Sequence, residues 1–173
     1  MPEPVIIVEY NPQWPIMYEE EKAKILGAIG RKITAIEHIG STAIPGLGAK
    51  PIIDIMVGVR RPAEAEECIE PLQIIGYEFV PPEKAGIPER RYFRKRALGM
   101  RTHHLHMVEI GGEFWETHLL FRNRLRANPS ITKQYYVLKQ RLAEQYGSDR
   151  EGYTEAKTPF IQSVLAKAYT EFE

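Results

Sequence analysis

The stretch from Ile36 to Val59 constrains the fold more than any other part of the chain. It reads IEHIGSTAIPGLGAKPIIDIMVGV, which is an apolar strand ending at Gly40 and Ser41, a connection containing proline and glycine, and a second apolar strand with one acid, Asp54. A glycine and a serine at the end of one strand, followed by a carboxylate on the next, are typical of sites that hold phosphates beside a cation. Backbone N–H groups contact phosphate oxygens and the carboxylate binds the metal. The stretch predicts a phosphate site and leaves the reaction undefined.

Asp54 is the candidate centre of that site. Strand alternation places Ile52, Asp54 and Met56 on one face of the second strand. A carboxylate among large apolar side chains needs a cation, an arginine or backbone donors, because an unpaired buried charge is costly. A structural salt bridge or a turn-capping role is the alternative for this residue.

Histidines supply the candidate metal ligands. The segment THHLHMVEI predicts a strand with His104 and His106 on one face, about 7 Å apart by strand rise. His38 ends the strand before Gly40 and would join them if the two strands are adjacent in the sheet. With Asp54 these form the predicted metal set. Magnesium prefers oxygen ligands, whereas imidazole suits manganese or zinc, so the metal stays open between these three. A structural role is the alternative for each histidine.

Cationic side chains supply the candidate phosphate contacts. Arg91 shares a strand face with Phe93 and Lys95 in RRYFRKR, and its guanidinium is predicted to stabilise charge that develops during a reaction. The alternative is a strand whose charges protect a sheet edge from aggregation. Lys157 lies one helical turn after Tyr153 and could close over an anion with it, although a surface pair fits the spacing equally well. The predicted phosphate-binding set is Gly40, Ser41, Thr42, Lys50, Arg91 and Lys157.

Hydrophobic periodicity predicts an α+β protein: a mixed sheet with packed helices, then a helical C-terminal segment. We expect one domain over residues 1–173, with a sheet-containing core at about 1–112 and helices at about 113–173. Helices are expected at about 12–28, 62–76, 114–127 and 131–146, and a turn-rich loop is expected at 81–88. A last helix begins near Asp149 and is expected to restart at Thr158-Pro159, because proline suits a first turn behind a threonine cap.

Composition limits the partners. The formal net charge of the 173 residues is zero, so binding to nucleic acid is not expected even though residues 90–101 are strongly basic. A single cysteine, Cys68, is typical of a reducing compartment. No signal peptide or apolar run of about 18 residues is present, so we expect a cytoplasmic protein without membrane contact. The sequence does not define the oligomeric state.

Five segments resemble the GrpB family: VEYNPQWP at 8–15, HIGSTAIPGLGAKPIIDI at 38–55, HLHMVE at 104–109, HLLFRNRLRANP at 118–129, and Y-x-x-x-K-x-x-F-I at 153–161. The resemblance covers almost the whole chain in order. It implies a fold similar to that of the nucleotidyltransferase superfamily, and related domains are fused to dephospho-CoA kinase in some bacteria.

The resemblance also implies roles for particular residues. Gly40 and Ser41 match the Gly-Ser element of the superfamily, and Asp54 matches one carboxylate of its metal pair. Ile52 and Met56 occupy the two positions where a second carboxylate would lie, which is a departure from the pattern. We therefore expect binding of a nucleotide or another phosphorylated small molecule, with metal-dependent nucleotidyl or phosphoryl transfer as the reaction. The alternative is a non-catalytic binding or folding-assistance module that kept the fold and lost the second carboxylate.

Overall fold

A computed structural model describes residues 4–170, so the two ends of the predicted domain lie outside the described residues. The chain forms an α+β fold, as predicted. Its strands are β1 (Ala35–Ile39), β2 (Ile53–Val59), β3 (Glu78–Val80), β4 (Arg91–Ala97) and β5 (Met100–Glu109). Its helices are α1 (Trp14–Ile29), α2 (Pro62–Ile74), α3 (Pro82–Ala85), α4 (Glu113–Ala127), α5 (Pro129–Tyr146) and α6 (Arg150–Thr170).

The strands form one mixed sheet in the order β1-β2-β5-β4-β3. Strands β2 and β5 are parallel, and the other neighbouring pairs are antiparallel. Because β2 lies between β1 and β5, residues of β1 and β5 are never direct neighbours. Register pairs Asp54 with Ile39 on one side and with His104 on the other.

One face of the sheet is covered by α1 and α2. Alternate residues of β2 point to this face, and they are fully or almost fully buried: Ile53, Ile55, Val57 and Val59. Trp14, Ile25 and Leu72 of the two helices pack in the same core. Burial of one fully enclosed aliphatic side chain contributes about 1.5–3 kcal/mol, so this layer is the main source of stability.

The other face of the sheet meets the C-terminal helices. Trp115 of α4 packs against Ile39, Met56 and Val108 near one end of β2. The connection between β1 and β2, residues 40–52, packs against all three C-terminal helices through Ile44 and Leu47. These contacts cover the ends of β1 and β2 and leave a cavity beside Asp54.

Two local expectations are wrong. Helix α6 runs through Thr158-Pro159 without a restart, although an internal proline costs about 3 kcal/mol. Packing of Tyr153 before the proline and Val164 after it holds both halves in one helix. In addition, residues 82–85 form the short helix α3 within a predicted loop. Of the helices in residues 4–170, none combines the length and apolar character needed to cross a membrane.

Candidate functional site

A cavity of about 250 Å³ lies between the sheet, the 40–52 connection and helices α4 to α6. Most of the predicted phosphate-binding residues line it, together with Asp54 and His104. Its polar lining residues are Gly40, Ser41, Thr42, Lys50, Asp54, His104, Thr117, His118, Arg122, Tyr135, Lys139, Tyr153 and Lys157. Apolar side chains complete the wall, namely Ile44, Ala49, Ile52, Phe121, Ile161 and Leu165.

Asp54 contacts two histidines of β5. Its Oδ1 atom lies 3.0 Å from Nε2 of His106 and 3.5 Å from Nδ1 of His104. Burial by itself raises the pKa of the Asp54 carboxyl, but hydrogen bonds from His104 and His106 outweigh burial and place the pKa well below its ordinary value. Asp54 is therefore a carboxylate throughout the neutral range.

Arg90 fixes the tautomer of His106. Its Nη1 atom lies 2.9 Å from Nδ1 of His106, and because guanidinium has no acceptor, this nitrogen must accept. The proton of the neutral ring is then on Nε2, which donates to Asp54. Burial lowers the pKa of His106, which agrees with a neutral ring. Both nitrogens of His106 are thus used by protein groups.

Three lysines contribute ammonium groups to the cavity. Lys50 lies 5.1 Å and Lys157 lies 4.6 Å from the centroid of the Tyr153 ring. Lys139 is almost fully buried, donates to the carbonyl oxygen of Gly48 at 2.9 Å, and lies 5.2 Å from the Tyr135 ring centroid. Among the salt bridges formed within residues 4–170, none includes any of these three lysines.

The lysine pKa values reflect this crowding. Burial, reinforced by the charge of Lys50, lowers the pKa of Lys157 to about 8. Burial, followed by the charges of Lys157 and Lys50, lowers the pKa of Lys139 well below its ordinary value. Burial is also the largest cause of the lowered pKa of Lys50. Asp54 opposes each shift, so one carboxylate acts on all three lysines.

Two buried polar atoms of the lining have no partner in the described part of the chain. These are Nε2 of His104 and the hydroxyl of Tyr153. Buried polar atoms are nearly always hydrogen-bonded, and each exception needs an explanation. A ligand in the cavity would supply the missing partners.

Gly40 places Asp54 against the 40–52 connection. Its φ and ψ of 73° and −176° belong to a region that only glycine adopts readily. A Cβ atom at this position would lie 2.6 Å from Oδ2 of Asp54. Ser41 and Thr42 follow in a short 3-10 turn and line the cavity. The Thr42 hydroxyl, however, donates to the carbonyl of Ile52 and accepts from Nε2 of His38, so it supports the connection.

His38 lies on the opposite face of the sheet from Asp54, and its placement as a metal ligand is corrected. Register pairs His38 with Ile55, so its side chain points toward α1, where it stacks on Tyr18 with ring centroids 4.7 Å apart. The prediction failed because β1 and β5 are separated by β2. Burial lowers the pKa of His38 to about 4.

Arg91 also lies away from the cavity, and its expected catalytic role is corrected. It pairs with Met107 on the face covered by α1 and α2, and its Nε atom donates to Glu66 of α2 at 2.6 Å. The neighbouring Arg90, on the other face, contacts His106. Other cations of the basic segment also face carboxylates, since Arg94 donates to Glu78 and Lys95 to Glu21.

The predicted metal set does not assemble. His38 is on the wrong face, and His106 uses both ring nitrogens on Asp54 and Arg90. Within the described residues, no group of three or more histidine, cysteine, aspartate or glutamate side chains is arranged to hold a metal ion. Asp54 and His104 offer two possible metal ligands, and three lysines line the same cavity. This set of side chains fits an anion better than a cation.

Lys139 and His118 line the site, and sequence reasoning missed both. The signal for Lys139 was present, since Thr132, Tyr135, Lys139 and Leu142 form the buried stripe of α5 at spacings of three or four residues. A lysine in an apolar stripe needs a buried partner. His118 carried no comparable signal; its Nδ1 donates to the Phe114 carbonyl at 2.8 Å, one turn earlier in α4.

Comparison with known proteins gives consistent matches. The family model described as GrpB protein matches residues 4–167. UPF0157 protein YqkA of Bacillus subtilis is 43% identical over 164 residues, which are 95% of this chain and 47% of that protein. The chain thus spans about half the length of this relative.

Two solved structures are similar to the fold. The crystal structure of conserved protein GrpB from Enterococcus faecalis has a TM-score of 0.83 and 35% identity, and the match covers 96% of this chain and 99% of that one. The structure of Cid1 in complex with its short product ApU has a TM-score of 0.53 and 13% identity, over 77% of this chain and 40% of that one. The second likeness, at 13% identity, concerns the fold alone.

Proposed function

This chain belongs to the GrpB family, and we propose that it binds a small phosphorylated molecule, such as a mononucleotide, in the cavity beside Asp54. The observation that carries the proposal is the presence of three lysine side chains in one cavity, none of which forms a salt bridge within residues 4–170. Ammonium groups crowded together in a partly dry site repel one another, and a phosphate dianion would remove that penalty.

The contacts available to a phosphate are charge-assisted. Lys50, Lys139 and Lys157 approach from the connection, from α5 and from α6, so the bound group would tie these elements together. Hydrogen bonds from charged donors contribute about 1.5–3 kcal/mol each. Tyr153 also lines the cavity and adds a neutral donor, because its hydroxyl has no hydrogen-bond partner within the described residues.

The size of the cavity favours a small ligand. Its volume of about 250 Å³ lies slightly below the range of about 300–1,000 Å³ that is usual for sites binding drug-sized molecules. A sugar phosphate or a mononucleotide suits this volume better than a polynucleotide. The apolar wall formed by Ile44, Ile52, Phe121 and Leu165 would contact the uncharged part of the ligand.

Binding is supported more strongly than metal-dependent transfer. Met56 lies on the Asp54 face of β2 and Ile52 lines the cavity, so no second carboxylate flanks Asp54. Nucleotidyl transfer of the two-metal kind needs such carboxylates to hold its cations.

Thermal unfolding with added phosphates tests the proposal. Inorganic phosphate and AMP at about 100 times their Kd should stabilise the protein by about 2.7 kcal/mol, which corresponds to a Tm increase of roughly 5–10 °C. Lys139→Met should weaken binding by about tenfold or more, because it removes a charged donor. Lys133→Met is the matched control, since Lys133 is an exposed residue of the same helix. A Tm that no phosphate changes would contradict the proposal.

A further inference from the structure

The ring of His104 has one nitrogen that makes no hydrogen bond to any of residues 4–170. Its Nδ1 atom faces Oδ1 of Asp54 at 3.5 Å, and its Nε2 atom is buried without a partner in the described structure. A carboxylate oxygen only accepts, so Nδ1 carries a proton, which in the neutral form of the ring is its single N–H proton. In that tautomer the lone pair of the imidazole is on Nε2, and His104 is one of the residues that line the cavity.

The groups behind Asp54 keep this arrangement in place. Arg90 donates to Nδ1 of His106, and His106 donates through Nε2 to the same Oδ1 atom that faces His104. Arg90 is also anchored by a bond to the carbonyl of Ala85 at 3.1 Å. These contacts hold the Asp54 carboxylate in place, and Nδ1 of His104 therefore faces a hydrogen-bond acceptor.

Other polar groups of the cavity differ from this lone pair, because they are hydrogen-bond donors. The ammonium groups of Lys50, Lys139 and Lys157 are donors, as is the hydroxyl of Tyr153 in its simplest role. These donors suit the oxygens of a phosphate dianion. A dianion carries no proton, so its oxygens act only as hydrogen-bond acceptors. A lone pair on His104 gains nothing from such a phosphate and needs a hydrogen-bond donor on the ligand.

We propose that Nε2 of His104 accepts a hydrogen bond from a hydroxyl group of the ligand, so that the site selects phosphate monoesters of hydroxylated small molecules. This inference rests on the phosphate binding proposed above and specifies the substrate class. His104 contacts the ligand, and Asp54, His106 and Arg90 act as positioning residues through their effect on the imidazole proton.

Histidine nitrogen NMR of the full chain tests the tautomer directly. Long-range proton–nitrogen correlation spectra should show the proton of His106 on Nε2 and that of His104 on Nδ1, with the His104 signals assigned from their loss in His104→Phe. Glycerol 3-phosphate should shift Nε2 of His104 further than propyl phosphate does. A His104 ring with its proton on Nε2 would overturn the inference.

Binding of matched ligands tests the selection. Glycerol 3-phosphate is compared with propyl phosphate, and ribose 5-phosphate with pentyl phosphate, by calorimetry in the wild type and in His104→Phe. Loss of one hydrogen bond should reduce the preference for at least one hydroxylated partner by about three- to tenfold. His103→Phe is the control, because His103 lies on the opposite face beside Glu21. It should keep the wild-type preference.

The outcomes separate the two proposals. Preferences that are the same in the wild type and in His104→Phe would overturn the role of His104 while leaving phosphate binding intact. If neither inorganic phosphate nor any of the four esters binds the wild type, the phosphate site itself is wrong and the inference fails with it. If His104→Phe does not fold, the His104 signals of the wild type are assigned by through-bond correlation to the backbone, and the tautomer and the ligand-induced shift decide.

Discussion

The Nζ atom of Lys157 lies 4.6 Å from the centroid of the Tyr153 ring, and Lys50 lies 5.1 Å from the same centroid. An aromatic face attracts a cation, but it does not remove the repulsion between two ammonium groups that lie on the same ring. Burial and the Lys50 charge lower the pKa of Lys157 to about 8. Without a ligand, the protonated lysine therefore costs stability.

Lys157→Met should stabilise the protein when no phosphate is present. The folded-state pKa is below the ordinary value of 10.5, so the penalty is fully present below about pH 8 and disappears as the pH rises toward 10.5. At pH 7 the gain in the free energy of unfolding should reach up to about 3 kcal/mol, measured by urea unfolding. It should shrink at pH 10.

The control for this prediction is Lys167→Met, since Lys167 is exposed on the same helix. We expect a change within about 0.5 kcal/mol at both pH values. If Lys157→Met destabilised the protein at pH 7, Lys157 would have a stabilising partner that the proposed site does not include.

Phosphate affinity should decrease as the pH rises through 8. A bound dianion favours the charged form of Lys157, so binding takes up protons where the free side chain is partly neutral. The charge of a phosphate monoester hardly changes above pH 7, because its second pKa is about 6. Each proton taken up lowers the affinity by at most about tenfold per pH unit, which follows from proton linkage.

Calorimetry at pH 7, 8 and 9 in two buffers of different ionisation enthalpy measures this uptake. Lys157→Met should bind more weakly and show a smaller dependence on pH, while Lys50 and Lys139 account for the remainder. Affinity that rises between pH 7 and 9 would show that no lysine of the cavity gains a proton on binding.

Gly40→Ala should perturb Asp54 as well as strain the backbone. The new Cβ would lie 2.6 Å from Oδ2 of Asp54, in a conformation that costs about 1–3 kcal/mol for other residues. Gly46→Ala is the matched control, because Gly46 also has a positive φ, 83°, but a Cβ added there would have nothing within 4 Å. We expect a larger loss of Tm for Gly40→Ala, and a changed His106 nitrogen spectrum in that variant alone. Equal losses and unchanged spectra would contradict close contact with Asp54.

His38 should make stability depend on pH without affecting the ligand site. Burial lowers its pKa to about 4, below the ordinary 6.5, so the unfolded state binds more protons between these values. Stability should therefore fall as the pH decreases from 6.5 to 4, by at most about 1.4 kcal/mol per pH unit from this residue. His38→Gln should flatten the slope in urea unfolding and retain phosphate binding. Loss of phosphate binding in this variant would show that His38 contributes to the ligand site.

The sheet and helices could be predicted because periodicity and turn residues are local. Strand alternation correctly placed Asp54 and Met56 on one face of β2, and His104 and His106 on one face of β5. The register of the two strands brings Asp54 beside His104. Alternation also separated Arg90 from Arg91, but the sequence does not tell which face of a strand meets the cavity. That choice depends on which helices cover each side.

Residues that depend on sheet order or on packing between distant helices could not be predicted in the same way. His38 was misplaced because nothing in the sequence indicates that β2 separates β1 from β5. Lys139 reaches the site only because α5 packs on the 40–52 connection, where it meets the Gly48 carbonyl. The position of Lys139 in the buried stripe of α5 indicates that it needs a hydrogen-bond partner. It does not indicate which group that partner is.

The most direct measurement is a crystal structure of the full chain grown with a saturating concentration of AMP. We expect its phosphate between the Nζ atoms of Lys50, Lys139 and Lys157, within hydrogen-bonding distance of at least two of them. Nucleotide bound elsewhere, or no nucleotide although the cavity is open to solvent, would contradict the account.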